Sequence, residues 1–221
     1  MTRLRIAGLS TLLADGAATI LAWSRMPARV PVHWNIRGEV DRIGSRLELL
    51  LLGPLLLLFL WGVFEVLGVI DPRIAAPRDP EKTEAERSGA LQTAFALLLC
   101  LIFALHVILL LHGMGILDEP RRIIALWLAA FLLLFGNFMG RLRPSWFVGI
   151  RTPWTLSSDD VWRRTHRLAA RLMVGGGGLL LLLALVLPPQ AALVAGIVLV
   201  LASTLAPAVV SFFWWRATRS L

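Results

Sequence analysis

The side chains with the most chemical potential in this chain are polar groups set inside apolar sequence: Asp15, Glu65, His106, His112 and Asn137. An ionisable group within a bilayer is costly without a partner, so each of these marks a site by default. Their depths sort them into two groups. Asp15, His106 and His112 fall toward one end, where His33, Asn35 and Asp41 of the first loop are in reach. Glu65 and Asn137 fall toward the other, with Arg141 and Arg151. For the first group, His and Asp suit a proton-responsive or metal-binding pocket. The plainer reading, which is favoured, is that Asp15 and His106 satisfy each other or backbone groups between helices. No His-x-x-x-His or paired-carboxylate spacing is present, and His106 and His112, six apart, fall on opposite sides of a helix. No metal or cofactor is expected. No nucleophile–base pair stands out, so enzymatic activity is not expected either. For the second group, Glu65 either pairs with an arginine of the segment 136–171 or reaches the aqueous interface.

These residues must be positioned by membrane helices. The 221-residue chain is 57% hydrophobic and only 16% charged, with a mean hydropathy of +0.76. That is far from a soluble globular composition. Six apolar runs are long enough to cross a bilayer: about 4–24, 47–70, 90–113, 123–140, 168–187 and 191–214. The first resembles a signal peptide in its basic start, but it is interrupted by Asp15 and is read as a retained helix. Pro188-Pro189 leaves room only for a tight turn, which makes the last two spans antiparallel neighbours. The expected fold is an all-α polytopic membrane bundle of six helices. Cys100, the single cysteine, lies inside an apolar run and cannot form a disulfide within the chain.

The formal charge of +8 belongs to topology and lipid rather than to nucleic acid, because the basic residues flank spans. Placing the N-terminus inside puts Arg3, Arg5, Arg73, Arg78, Lys82, Arg87, the arginines of 141–171, Arg216 and Arg219 on the cytoplasmic side. The outer side then keeps Arg25, Arg29, Arg37, Arg42, Arg46, Arg121 and Arg122. Both termini are therefore expected to be cytoplasmic. In the first loop, Pro27 and Pro31 favour extended backbone and Gly38 and Gly44 are read as turn residues in a small ordered cap. The second loop is a polar connector whose second half, 81–87, can extend the third helix. The expected organisation is a two-helix unit over 1–70, a cytoplasmic connector over 71–89, and a four-helix unit over 90–221 with an inner loop at 141–167.

The densest punctuation lies between Gly136 and Arg171. Gly136-x-x-x-Gly140 offers a small-residue helix face. Pro144 breaks the helix, and Trp146 and Phe147 suit the headgroup level. Gly149 permits a turn, and Pro153 biases Thr152 toward extended backbone. Ser157 is read as the cap of a helix beginning near Ser158, with Asp159 and Asp160 in its first turn. Along that helix Arg163, Arg167 and Arg171 form a basic stripe beside Trp162 and His166. The stripe suits anionic lipid or a protein surface. Gly175 to Gly178 require close packing or a hinge in the fifth span.

Three blocks of this stretch resemble the signature of the SdpI family, bacterial membrane immunity proteins against a sporulation-delaying peptide toxin. They are Gly136-Asn137-x-Met139-Gly140, the run Arg143-Pro144-x-Trp146-Phe147-x-Gly149-Ile150-Arg151-Thr152-Pro153-Trp154-Thr155-Leu156, and Trp162-x-x-Thr165-His166. Pro31-Val32-His33-Trp34-Asn35 with Gly38-Glu39-x-Asp41 is similar to a small membrane domain of unknown function often found ahead of that signature. The resemblance implies six spans, no catalytic activity, resistance to a secreted membrane-active peptide and, in one member, capture of a soluble autorepressor at the membrane. On this reading His33, Trp34, Asn35, Asp41, Asp15 and His106 are candidate ligand-binding residues. Asn137, Arg143, Pro144, Trp146, Gly149, Arg151, Thr152, Pro153, Trp154, Trp162 and His166 are candidate docking residues on the cytoplasmic side. Expected partners are membrane lipid, an extracellular peptide toxin and a soluble repressor, in the bacterial cytoplasmic membrane. The competing expectation is a small proton-coupled permease using Asp15, Glu65 and His106, which a continuous polar path would favour.

Overall fold

The computed structural model describes residues 3–35, 39–70, 84–146 and 148–219. Residues 71–83 of the connector, Gly38 and Phe147 lie outside the described residues. Among the described residues six helices are long and apolar enough to cross a membrane. In chain order the elements are α1 (Arg3–Trp23), β1 (Arg29–Trp34), β2 (Val40–Ser45), α2 (Leu47–Leu50), a π-helical turn (Leu51–Leu55) and α3 (Leu56–Ile70). There follow α4 (Glu84–Gly113), α5 (Pro120–Met139), the short α6 (Pro153–Ser157), α7 (Asp159–Val186) and α8 (Pro189–Arg219). The second span is thus α2, the π turn and α3 in series. Pro54 removes one backbone donor, and the wider π turn around it absorbs the break.

The bundle is apolar on its outside. Leu13, Ile20, Phe59, Val186 and Leu205 are all more than half exposed, a distribution suited to lipid rather than water. Small residues make the closest helix contacts. At Gly136 an added Cβ would lie 2.8 Å from the Met173 Cβ, and at Gly177 it would lie 2.9 Å from the Ala129 carbonyl oxygen. The α5–α7 seam is built on those two approaches, with Ala129, Leu132, Ala169, Met173 and Leu180 buried along it. Of the four-glycine run, Gly177 meets the seam, while a Cβ at Gly175 or Gly178 would meet open space.

Two local expectations are corrected. The first loop, expected as a small ordered cap, is an antiparallel hairpin. Gly44 sits in its second strand opposite Val30 rather than in a turn. A side chain there would have to displace the Glu48 carboxylate and the Val32 methyl beside it. The cap of α7 is Ser158, not Ser157: the Ser158 side chain accepts from Val161 N–H. Ser157 instead ends α6, which has its own capping box between Thr152 and Thr155. As expected, the helix of the fifth span begins well before the apolar run, at Asp159, where that cap and the acidic first turn start it.

Candidate functional site

Two polar regions stand at opposite ends of the bundle, and a buried pair lies between them. At one end β1 and β2 pair from Arg29–Ser45 to Trp34–Val40, with irregularities on either side of His33. Such bulges re-aim side chains. Val30 is fully buried against Ala22, Met26, Leu49 and Leu110, which plants the hairpin on the bundle. Asn35 and Glu39 close the tip through side-chain and backbone hydrogen bonds of 2.9–3.1 Å. His33 Nδ1 lies 2.6 Å from Asp41 Oδ1, and the Trp34 ring tilts over His112 at 5.6 Å. His112 Nδ1 donates to the Leu117 carbonyl at 2.7 Å.

Between this hairpin and the ends of α4, α5 and α8 lies a cleft of about 590 Å³. Its walls include His33, Trp34 and Asn35 from the hairpin, His112 from α4, Asp118, Glu119 and Arg121 from the α4–α5 turn, and Gln190 and Val194 from α8. Glu119 caps α5 by accepting from Arg121 N–H, and its two oxygens also hold the Arg121 guanidinium at 2.6 and 2.5 Å. That contact holds the Glu119 carboxyl below the usual carboxylate range. Sequence reasoning missed Asp118, Glu119, Arg121 and Gln190. Their signal was weak: a Glu before a Pro at a helix start.

Asp15 and His106 do not join that cleft. They meet each other at 2.7 Å, with both side chains fully buried. His106 fits there because Gly53 has no side chain: a Cβ at Gly53 would lie 2.1 Å from the imidazole. The pair ties α1 to α4 beside the π turn. The first polar group therefore divides into a buried clamp and an open cleft. Among the described residues no cluster of three or more His, Cys, Asp or Glu side chains is arranged for a metal.

Glu65 does not reach an arginine of 136–171. Its partner is Arg5, at 2.7 Å, because α1 and α3 are neighbours and start and finish at the same end. Asn137 is exposed on α5. Beside Arg5 a void of only about 10 Å³ is lined by Gly8, Trp61, Phe64, Gln92 and Leu99.

At the other end, residues 141–166 fold as one self-bonded unit. Gly149 has φ +108°, a backbone state that side-chain-bearing residues rarely adopt. A Cβ there would lie 2.5 Å from His166 Nε2 and 2.8 Å from the Trp162 ring. Those two rings stack at 4.0 Å and are completely buried. His166 Nε2 accepts from Ile150 N–H at 3.0 Å, and its Nδ1 lies 2.9 Å from the Trp162 carbonyl. Trp162 Nε1 donates to the Leu142 carbonyl at 2.9 Å. Thr155 Oγ1 donates to the Ile150 carbonyl, Arg151 to the Trp146 carbonyl at 2.8 Å, and Trp154 Nε1 to Ser211 Oγ at 2.7 Å. Trp162 and His166 therefore form the inside of this unit and offer no docking surface. Its exposed face carries Arg141, Arg143, Trp146, Arg151, Pro153, Arg163, Arg164 and Arg167. Of these, Arg164 is held by Asp160 at 2.8 Å.

Residues 141–214, which include this unit, match the SdpI/YfhL protein family. Ahead of the SdpI/YfhL match, residues 11–58 match a domain of unknown function, DUF1648, which spans the hairpin. The chain is also similar to the immunity protein SdpI of Bacillus subtilis (strain 168), at 24% identity over 156 residues, 71% of this chain and 69% of the relative. The matched family is one of immunity proteins, not of enzymes. No solved structure matches.

Proposed function

We propose that this chain is a multi-pass immunity protein of the bacterial cytoplasmic membrane, with both termini cytoplasmic, that gives resistance to a secreted membrane-active peptide. The observation that supports this most directly is the composition of the cleft. Val32, His33, Trp34, Asn35 and Val40 come from the DUF1648 match, and Gln190, Leu193, Val194 and Ile197 come from the SdpI/YfhL match. Neither matched stretch makes the cleft alone, so a ligand seated there contacts both. The peptide is captured at the outer surface by His33, Trp34 and Asn35, with Asp41 orienting His33.

In the second role of this reading, the peptide-bound protein holds a soluble autorepressor at its cytoplasmic end. The exposed arginines around Arg151 and Arg163 form that surface. Asp15–His106 is a structural clamp. Asp15 and Glu65 are held in two separate pairs, with His106 and with Arg5, which supports binding over proton-coupled transport along a continuous polar route.

Two experiments test the reading. Expression of the wild-type chain in a toxin-sensitive bacterial host should raise survival against the peptide; survival equal to that of the empty vector contradicts the immunity function. In a Cys100→Ala background, Ser45→Cys should react with a membrane-impermeant maleimide in intact cells and Ser88→Cys only after permeabilisation. The reverse pattern contradicts the orientation.

A further inference from the structure

We propose that the cleft under the hairpin reads an ammonium group, a lysine or the free N-terminus, on an apolar peptide. This rests on the reading above, in which a peptide occupies the cleft, and it assigns the chemistry of the contact.

The argument starts from charge. The chain as a whole carries +8, yet Arg121, the one arginine among the described residues that line the cleft, is already engaged. Both oxygens of Glu119 hold Arg121. Arg122 turns to the other side and donates to the carbonyls of Ala184 and Leu187 at the end of α7. Asp118 lies in the cleft wall, is exposed, and has no ion-pair partner among the described residues. It is therefore an uncompensated carboxylate in a basic protein.

The histidines add acceptors. A carbonyl can only accept, so His112 Nδ1 carries the hydrogen that bonds to Leu117. In the neutral ring Nε2 is then an acceptor. The Asp41 carboxylate orders His33 in the same sense, through Nδ1. The cleft thus offers a carboxylate and imidazole acceptors above walls built mostly from aliphatic side chains. An ammonium donates three hydrogen bonds and accepts none, and its apolar neighbours would cover those walls. The volume of about 590 Å³ suits one end or one turn of a peptide rather than a whole chain.

The same accounting decides between two sources of an ammonium. An aminophospholipid brings a phosphate along with its amine, and among the described residues that line the cleft the one arginine, Arg121, is already held by Glu119. A peptide brings no such anion, so a peptide is the occupant.

The test uses the full chain in nanodiscs of phosphatidylcholine alone and a fluorescent synthetic peptide of leucine, alanine and lysine. A second peptide has an acetylated N-terminus and every lysine replaced by norleucine. Binding is measured above that of empty discs. The wild type should bind the lysine peptide up to about five-fold more tightly than the norleucine peptide, as befits a solvent-accessible charge contact. Asp118→Asn should erase that preference without changing affinity for the norleucine peptide. A preference that survives in Asp118→Asn overturns the ammonium assignment while leaving peptide capture in place. Loss of lysine-peptide binding when phosphatidylethanolamine is added to the discs overturns the peptide as occupant. Failure of both peptides to bind above empty discs overturns peptide capture itself.

Discussion

The two ends of the bundle use polar residues in opposite ways. At the motif end, nearly every distinctive side chain is spent on the chain itself. Trp162, His166, Thr152, Thr155 and Trp154 bond to neighbouring backbone or to Ser211, and Gly149 lets the rings approach. At the hairpin end, polar groups line an open cleft, and Asp118 has no ion-pair partner among the described residues. The lesson concerns how a motif is read. A fixed order of Gly, Pro, Arg and Trp marks a demanding local fold, and the surface for a partner is made of less distinctive residues around it. The longest signature in this chain holds a shape, while the cleft comes from short, scattered pieces of sequence.

That contrast can be sharpened by variants, and the largest effect is expected between the two ends. Asp15→Ala strands His106 in the bundle, and removing one partner of a buried pair typically costs about 3–5 kcal/mol. The loss should appear as a lower unfolding midpoint in detergent. An unchanged midpoint would show that the pair is not a clamp. Next comes Gly149→Ala, which forces a side chain into a positive-φ position against His166 and Trp162. A cost of about 1–3 kcal/mol is expected, together with new protease sensitivity around 141–158. If Gly149→Ala is as stable and as resistant as wild type, the motif end is not the rigid unit described here.

The smallest effect is expected at Glu119. Glu119→Ala removes a helix cap and the Arg121 contact, with a loss of about 1 kcal/mol at neutral pH. The Glu119 carboxyl is held below the usual range by Arg121. A group depressed in the folded state stabilises above its unfolded pKa and loses that contribution as pH falls through its folded pKa. The gap in stability between wild type and Glu119→Ala should therefore narrow only in acid, below the usual carboxylate range. A gap that stays constant throughout would remove the ion pair from the account.

The six spans were legible because about 20 apolar residues are needed to cross a bilayer and few other segments contain them. The Asp15–His106 pairing was legible for a related reason, since buried ionisable groups need partners. The hairpin was not. Gly44 reads as a turn residue, whereas the fold pairs it with Val30 inside a strand. The start of α7 was misplaced by one residue, because the short α6 and its Thr152–Thr155 box use Ser157 as a terminus. Glu65 was offered to the wrong arginines, since helix neighbours, unlike helix positions, are not written in the sequence. The cleft was hidden for the same reason. Its walls come from the hairpin, the α4–α5 turn and the start of α8, which only the fold brings together.

The most direct measurement compares the two ends in one assay, survival of a toxin-sensitive host against the secreted peptide at matched expression. His33→Ala, at the cleft, should lose protection. Arg163→Ala with Arg167→Ala, on the exposed face of the motif end, should keep it and lose only capture of a cytoplasmic partner. Full protection by His33→Ala, with protection lost in the arginine variant, would contradict the account.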